Sequence, residues 1–297
     1  MISVLQLGTV DYATGLRLQQ QLVALRKEGK IGDVLLLLEH TPVITLGRNA
    51  KAANVIASPE LLAQRGVELF ECDRGGDVTF HGPGQLVGYP IFDLRGYAHG
   101  AAEASSAVHA TQGAPSPPRK HLGAVDFVRR LEEVLIRTGA DFTIETKRIP
   151  SLTGVWTDAG SNAAHVETAA SAVQRSEASA PAQAPESKLA AIGIHISRFV
   201  TSHGFALNVN TDLTYFNLII PCGITTKPVT SMQRELGKPL EINAVSESIS
   251  RNFGRVFSTQ ILWVDTLDAL LGRTVGVPMK PPAELRQLHS EDDTTWA

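Results

Sequence analysis

The chain has 297 residues and a formal net charge of −3 at pH 7, with 43% hydrophobic and 19% charged residues. This balance is ordinary for a folded globular protein and excludes wholesale disorder. A chain so close to neutral lacks the dense basic surface on which most nucleic-acid binders depend. Its longest uninterrupted apolar run, residues 34–38, is far short of the roughly 20 residues that span a bilayer. We therefore expect neither a nucleic acid nor a membrane as a partner.

The cysteine content and the first residues bear on location. The chain opens without a basic segment followed by a long apolar core, so we expect no secretory signal. Its two cysteines, Cys72 and Cys222, are too few for a disulfide framework and are typical of a reducing compartment. We therefore expect a cytoplasmic protein.

Two stretches, 99–123 and 158–187, differ in composition from the rest of the chain. The second contains ten alanines and five serines and has few large aliphatic side chains. Because such segments cannot offset the entropy lost on ordering, we interpret both as surface insertions. The polar tail at 278–297 is interrupted by prolines in the same way. At roughly 150 residues per domain, the full length is consistent with two domains. When the two insertions and the tail are left out of the count, the remaining length fits one, so we predict a single catalytic domain at 1–277.

The rest of the chain alternates helical and extended patterns. Along 189–198, Ile192, Ile194 and Ile196 alternate with other residues, which is typical of a half-buried strand. These patterns predict an α+β fold with a mixed, largely antiparallel sheet and flanking helices. In chain order they predict a helix at 14–30, strands at 33–40, 43–46, 67–70 and 86–94, a helix at 124–137 that stops at Gly139, and then strands at 142–146, 152–157, 189–198 and 205–209 before a helix at 241–257.

The segment RGGDVTFHGPGQ at 74–85 is the densest in glycine and also carries Arg74 and His81. Glycines let a backbone approach a ligand closely and present its N–H groups. The segment matches neither the phosphate-binding P-loop nor the dinucleotide-binding glycine pattern. A tight turn between strands and a ligand-binding loop both remain open.

One of the two cysteines could carry chemistry. Cys222 lies between proline and glycine, which predicts a turn after an apolar strand, where a thiol can act as a nucleophile and nearby amides can stabilise an oxyanion. The alternative is a small buried side chain. Cys72 is interpreted as structural, because its acidic neighbours Glu71 and Asp73 oppose thiolate formation.

Lys188 and His203 are the other polar candidates. Lys188 opens an apolar strand, from which it could extend to solvent or, beside a thiol, favour the thiolate and exchange a proton with it. His203, followed by Gly204, is interpreted as a polar hairpin corner or a site residue. The histidines and cysteines lack the spacing of a zinc site, so we expect no metal.

Five segments together resemble the signature segments of the lipoyl/octanoyl transferase family. Each is weak alone, but they occur in the family's order over about 35–232, which makes the resemblance specific. They are LLLLEHTPVITLGRNA, RGGDVTFHGPGQLVGYPIFDL, KLAAIGIHI, HGFALNVNTDL and IIPCGI followed by VTSM. The resemblance implies a biotin/lipoate protein ligase-like catalytic domain that moves an octanoyl group from octanoyl-acyl carrier protein to a lysine of a lipoyl domain. The acceptors would be the lipoyl domains of 2-oxoacid dehydrogenases and the glycine cleavage H protein.

The same resemblance implies roles for individual residues. Cys222 would form an acyl-thioester and Lys188 would pair with it. No cofactor is expected, because exchange between thioesters needs no ATP. The insertion directly before Lys188 departs from the family pattern. The segments implied to bind substrate are Arg74, Gly75, Gly76, Asp77, Val78, Thr79, Phe80 and His81, the glycine turn Ala191, Ile192 and Gly193, and the glycine turn Gly204, Phe205 and Ala206.

Three alternative functions remain open at this point. An ATP-dependent lipoate or biotin ligase would not need Cys222. An amidotransferase would move octanoate between lipoyl domains, and a non-catalytic protein would only bind the acyl carrier or lipoyl domain. Because acyl carrier protein is acidic, we expect a basic docking surface, with Arg48, Lys51, Lys147 and Arg148 as candidates.

Overall fold

The computed structural model describes residues 1–97, 121–158 and 185–271. The predicted insertions at 99–123 and 158–187 fall largely outside these residues, and the tail at 278–297 falls wholly outside them. The strands of the described part are β1 Ile2–Val10, β2 Asp33–His40, β3 Val43–Leu46, β4 Glu68–Glu71, β5 Val78–His81, β6 Gln85–Ile91, β7 Thr146–Ile149, β8 Leu152–Thr157, β9 Lys188–Ser197, β10 Val200–Asn208 and β11 Ile261–Trp263. Its helices are α1 Tyr12–Lys27, α2 Pro59–Gln64, α3 Ala124–Asp141, α4 Met232–Leu236, α5 Ile242–Val256 and α6 Leu267–Leu270.

The strands form two sheets. The eight-stranded sheet has the order β11-β1-β2-β6-β10-β9-β8-β7, and the three-stranded sheet has the order β4-β3-β5. In the large sheet β1 is parallel to β11 and β2, and the other pairs are antiparallel. The predicted α+β fold with a mixed, largely antiparallel sheet and flanking helices is confirmed. None of the helices in the described ranges has the length and apolar character needed to cross a bilayer.

Strand β2 shows how the sequence creates the layers. Because successive side chains of a strand point to opposite faces, Leu35 and Leu37 enter one core and Leu36 and Leu38 enter another. The first core is shared with α3 and α5, and the second with α1. A run of five apolar residues is therefore buried on both faces, between helices on either side.

The end of α3 differs from the prediction. Gly139 does not stop the helix, which continues to Asp141. A Cβ on Gly139 would lie 3.1 Å from the carbonyl oxygen of Ile144, so this glycine permits close packing inside the helix. The carboxylate of Asp141 accepts hydrogen bonds from Ser248 and Asn252 of α5, which ties the two helices together. The strand predicted at 142–146 is therefore wrong, and β7 begins only at Thr146.

Other differences concern glycine-rich segments and the chain start. Strand β1 was not predicted, and part of the glycine-rich segment 74–85 forms strand β5. Strand β6 ends at Ile91, three residues before the predicted end. The predicted glycine turns at Ala191–Gly193 and Gly204–Ala206 are wrong, because Gly193 pairs with Gly204 within the β9–β10 ladder. His203 likewise lies inside β10 and forms no hairpin corner.

The glycines of β6 and β10 allow these two strands and their side chains to approach closely. A Cβ on Gly204 would lie 2.1 Å from the carbonyl oxygen of Gly88, and one on Gly88 would lie 2.1 Å from the ring of Phe205. The first contact is with backbone, which cannot rotate away.

We expect Gly204→Ala to lower the free energy of unfolding by about 3 kcal/mol, the upper range for overpacking a core, because β6 and β10 must separate. Urea denaturation followed by circular dichroism measures this difference. The matched control is Gly32→Ala, since a Cβ on Gly32 meets no atom within 4 Å; its stability should stay within about 0.5 kcal/mol of the wild type. Equal midpoints for both variants would contradict this account of the strand packing.

Candidate active site

Cys222 lies on a tight turn whose backbone conformation is unusual for a residue other than glycine. The turn Pro221–Gly223 is a short 3₁₀ helix in which Cys222 has φ of 56°. Such left-handed backbone costs energy and is concentrated at functional sites. The turn follows the 3₁₀ helix Leu213–Leu218, and not the apolar strand that was predicted before it. The thiol is partly exposed.

A chain of hydrogen bonds holds this turn against the glycine-rich segment. The carbonyl of Asn54 accepts from the N–H of Ile220 at 2.7 Å, two residues before Cys222. The side-chain amide of Asn54 donates to the carboxylate of Asp77 at 2.6 Å. Asp77 also accepts from the backbone N–H of Lys51. Asp77 therefore links the segment 74–77 to the Cys222 turn through its side chain.

Lys188 does not extend to solvent, as one interpretation of the sequence allowed. Its residue is 7% exposed, and its Nζ lies 3.3 Å from Sγ of Cys222. The ammonium also lies 4.8 Å from the centre of the Trp156 ring, an arrangement that stabilises a cation. The predicted meeting of these two residues, 34 positions apart, is present in the structure, and the insertion before Lys188 has not displaced it.

The sulfur of Cys222 is the group placed to accept the hydrogen bond of the Lys188 side chain. Within the described ranges no carboxylate lies at ion-pair distance from its Nζ. A buried ammonium is stabilised by a nearby negative charge, and the thiolate of Cys222 is the group placed to supply it. The pair can therefore hold one shared proton and move it between nitrogen, sulfur and a reacting group.

Both residues open into a cavity of about 250 Å³. It is enclosed mainly by β5, β6, β9 and β10 and by the segment 74–77. Most of the residues that the sequence implied for substrate binding line it. They are Arg74, Gly75, Gly76, Asp77, Thr79, His81, Ala191, Ile192, Gly193, Gly204, Phe205 and Ala206.

Val78 and Phe80 are the two implied residues that do not line this cavity. They alternate with Thr79 and His81 along β5, so they point to the opposite face of the strand. There Val78 and Phe80 pack in the core of the small sheet. The ring of Phe80 stacks on Tyr215 with centroids 4.7 Å apart. The resemblance implied that all of residues 74–81 bind substrate. In strand β5, however, alternate side chains point to opposite faces, so only Thr79 and His81 of this strand line the cavity.

Several lining residues were missed by reasoning from the sequence. Val87 and Tyr89 follow the period of two in β6, a signal that could have been found once the strand was assigned. His203 was considered as a hairpin corner or a site residue, but it was not assigned to substrate binding. Ile224 lies in the quoted IIPCGI segment, two residues after Cys222, whereas Tyr12, Ser151, Leu152 and Thr153 come from distant segments with no shared motif. The complete set of missed lining residues is Tyr12, Val87, Tyr89, Ser151, Leu152, Thr153, His203 and Ile224.

Arg74 brings a buried positive charge to the cavity wall. The residue is 8% exposed, and its guanidinium donates to the backbone and hydroxyl oxygens of Thr45 and to the carbonyl of Gly75. A Cβ on Gly47 would lie 2.7 Å from its Nη1. The close approach of glycine backbone therefore makes the space in which this side chain is held.

Two neutral histidines lie beside the cavity. Burial lowers the pKa of His40 to about 4 and that of His81 to about 3. Nδ1 of His40 lies 2.8 Å from the carbonyl of Val10, to which only a protonated nitrogen can donate, so Nε2 accepts from the hydroxyl of Tyr89 at 2.6 Å. In His81, Nδ1 donates to the amide oxygen of Gln85 at 2.7 Å.

His203 contacts Asp73 next to the glycine-rich segment. Its Nε2 lies 2.7 Å from the Asp73 carboxylate, and Nε2 of His195 lies 3.6 Å from the same group. Burial lowers the pKa of His203, which outweighs the opposing effect of the carboxylate. From the sequence, Asp73 was interpreted only as a neighbour that disfavours a thiolate at Cys72. In the structure its carboxylate pairs with His203.

The four candidate docking residues fall into two groups. Lys147 pairs with Asp158 and Glu186, and Arg148 pairs with Glu132 and Glu133. Arg48 and Lys51 are exposed and form no ion pair within the described ranges. Of the four docking candidates, Arg48 and Lys51 are therefore the two whose positive charge is not balanced by a carboxylate of the described residues.

Comparison with known proteins places this site in a family. The lipoyl protein ligase A/B catalytic domain matches residues 11–111 and 113–254. An octanoyltransferase of Koribacter versatilis is 53% identical over 98% of both chains. An octanoyltransferase of Acidobacterium capsulatum is 50% identical over 91% of this chain and 96% of its own.

A solved structure confirms the expected ligase-like fold. The bipartite lipoate protein ligase of Thermoplasma acidophilum covers 91% of this chain and 89% of its own, with a TM-score of 0.59 at 13% identity. Identity this low supports the fold alone, whereas the identity to the two bacterial relatives supports the closer relationship. The chain belongs to the lipoyl protein ligase A/B catalytic-domain family and, within it, to the octanoyltransferases.

Proposed function

We propose that the protein transfers an octanoyl group from octanoyl-acyl carrier protein to a lysine of a lipoyl domain, through an acyl-thioester on Cys222. The observation that carries this proposal is the 3.3 Å contact between the buried ammonium of Lys188 and Sγ of Cys222 at a largely apolar cavity. The family relationship supports the acyl group and the reaction class.

In the first step the thiolate of Cys222 attacks the carbonyl carbon of the donor thioester. The new C–S bond forms as the bond to the donor sulfur breaks, and the departing thiolate takes a proton from the Lys188 ammonium. The acyl chain occupies the cavity, in contact with Val87, Ile192 and Phe205. Lys188 is then a neutral amine beside an acyl-enzyme.

In the second step the amine of the acceptor lysine attacks the acyl-thioester. Its proton passes to Lys188, and Cys222 leaves as a thiolate, which restores the starting ion pair. Thioester exchange is nearly neutral in energy and amide formation is downhill, so the reaction requires neither ATP nor a cofactor. Two half-reactions through one covalent intermediate give ping-pong kinetics.

The oxyanion of each tetrahedral intermediate needs hydrogen-bond donors at the Cys222 turn. The N–H of Gly75 is bonded to the carbonyl of Ile194, and that of Gly223 to the carbonyl of Ile220. We therefore assign this role to the N–H groups of Gly76 and Cys222, two residues that line the cavity.

The alternative functions differ in what they require of this site. An ATP-dependent ligase activates its acid as an adenylate and has no use for a thiol beside a buried lysine. An amidotransferase would use the same pair but take octanoate from a lipoyl domain, so its donor distinguishes it. A non-catalytic binding protein would not need Lys188 and Cys222 in contact.

Two organisational proposals accompany this function. Residues 1–277 act as one catalytic domain, since the cavity draws its walls from α1 through the Cys222 turn. A cytoplasmic location is supported by two unpaired cysteines, one of which this reaction needs as a thiol. The acceptors proposed are the lipoyl domains of 2-oxoacid dehydrogenases and the glycine cleavage H protein.

We expect intact-mass spectrometry to find one octanoyl adduct after the protein is mixed with octanoyl-acyl carrier protein. Peptide mapping should place it on Cys222, and Cys222→Ser should abolish the thioester because a serine hydroxyl is a far weaker nucleophile. Cys72→Ser is the matched control and should acylate like the wild type. An adduct on Cys72, or none from this donor, would contradict the proposal, and acylation only from an octanoylated lipoyl domain would identify an amidotransferase.

We expect Lys188→Ala to slow both half-reactions by about 10²–10⁴-fold, the usual contribution of a positioned acid–base group. Rapid-quench measurement of acylation and of transfer to a lipoyl domain separates the two rates. Lys188→Arg keeps the positive charge but cannot accept a proton from the acceptor amine, so transfer should fall more than acylation.

The control for these variants is Lys238→Ala, which removes an exposed lysine outside the cavity. Circular dichroism melts establish whether each variant remains folded. Wild-type rates in a folded Lys188→Ala protein would remove this residue from the mechanism.

A further inference from the structure

A second recess lies beside the acyl cavity, along the other side of the Cys222 turn. It is an open groove of about 610 Å³, which we call the donor-arm groove. Ile224 lines both the groove and the acyl cavity, and Pro221 lines the groove while Cys222 lines the cavity. The two recesses therefore adjoin along the Cys222 turn.

The chemistry of a thioester donor requires two such recesses. Its reacting carbonyl carries the acyl chain on one side and the thiol portion on the other. When the carbonyl lies at Cys222 with its acyl chain in the cavity, the thiol portion needs a separate path away from the same point. The donor-arm groove is a recess that adjoins the cavity along the Cys222 turn.

The walls and the charges of the groove describe the kind of arm that fits it. Side chains of Ile56, Ile220 and Pro228 supply apolar wall, and hydroxyl and amide groups of Thr225 and Asn217 lie among them. This mixture suits an extended chain in which methylene groups alternate with amides.

The groove also carries positive charge. Arg234 lines it, is exposed, and forms no ion pair among residues 1–97, 121–158 and 185–271. Lys227 also lines it, but its charge is balanced by Glu186. Arg234 is therefore the uncompensated cation of the groove, and a guanidinium is well suited to bind a phosphate.

We infer that the donor-arm groove binds the 4′-phosphopantetheine arm of the acyl donor, with the apolar wall at Ile56 against the arm and Arg234 on its phosphate. This inference rests on the proposed function, because it requires a thioester donor that reacts at Cys222. Charge favours the donor over the acceptor as occupant, since a phosphate complements Arg234 and an acceptor lysine does not.

The experiment compares three donors that share the octanoyl thioester and differ in the arm. They are octanoyl-4′-phosphopantetheine, octanoyl-pantetheine without the phosphate, and S-octanoyl-N-acetylcysteamine with most of the arm removed. Acylation of Cys222 is followed by intact mass, and kcat/KM is determined for each donor. Transfer from pre-acylated protein to a lipoyl domain is measured separately.

We expect Arg234→Glu to lower the preference for the phosphorylated over the unphosphorylated arm about tenfold, as for loss of one charge-assisted hydrogen bond. Ile56→Asp should instead lower the preference for either long arm over S-octanoyl-N-acetylcysteamine. Both losses should occur in acylation. The matched controls are Lys238→Glu and Leu69→Asp, which place the same charges at exposed positions outside the groove.

Unchanged donor preferences in variants that still acylate would refute the groove assignment and leave the proposed function intact. A loss confined to transfer from the pre-acylated protein would also refute it, because the groove would then bind the acceptor. Failure of the wild type to take octanoyl from any of the three donors, or from octanoyl-acyl carrier protein, would refute the proposed function itself.

Discussion

Lys188 is the first residue of β9, and its position at the active site depends on backbone hydrogen bonds to Pro228 and Thr230. The N–H of Lys188 donates to the carbonyl of Pro228 at 2.8 Å, and its carbonyl accepts from the N–H of Thr230 at 3.0 Å. These bonds fix the backbone of Lys188, and its side chain extends across Trp156 toward the Cys222 turn. This pairing and the pairing of Lys188 with Trp156 of β8 together fix the start of β9.

The cavity and the pair formed by Lys188 and Cys222 have different physical origins. The contact between Lys188 and Cys222 comes from two local features. One is the hydrogen-bonded start of β9, and the other is the left-handed turn at Cys222. The cavity comes from close approach of backbones, since Gly193 and Gly204 face each other in the ladder and Gly47 leaves room for the Arg74 guanidinium. Glycine therefore acts here mainly by its missing side chain, and at Gly76 also by its positive φ.

The histidines around the cavity are neutral, whereas its lysine and arginine carry charge. His40 and His81 are held neutral by burial, and their protons are assigned by fixed hydrogen-bond partners. The positive charges that remain are those of Lys188 and Arg74, both buried without a carboxylate in the described part of the chain. In a region of low polarity these two charges act strongly on a thiolate or an oxyanion.

The sequence by itself determined the fold class and singled out Cys222 and Lys188, which the structure brings into contact. A continuous apolar run identified β2, a period of two identified β9, and a period of 3.6 identified α3 and α5, because apolar residues follow the geometry of the element that buries them. Five ordered segments then identified Cys222 and Lys188.

Only the tertiary structure decided the placement of residues whose local sequence pattern was ambiguous. Gly139 continues a helix and Gly204 lies in a strand, since a glycine is chosen for its small size as often as for a turn. The pleat of β5 divides one motif between the cavity and the small-sheet core, and Tyr12 reaches the cavity from a distant helix. These placements depend on contacts between residues far apart in the chain, which no local spacing encodes.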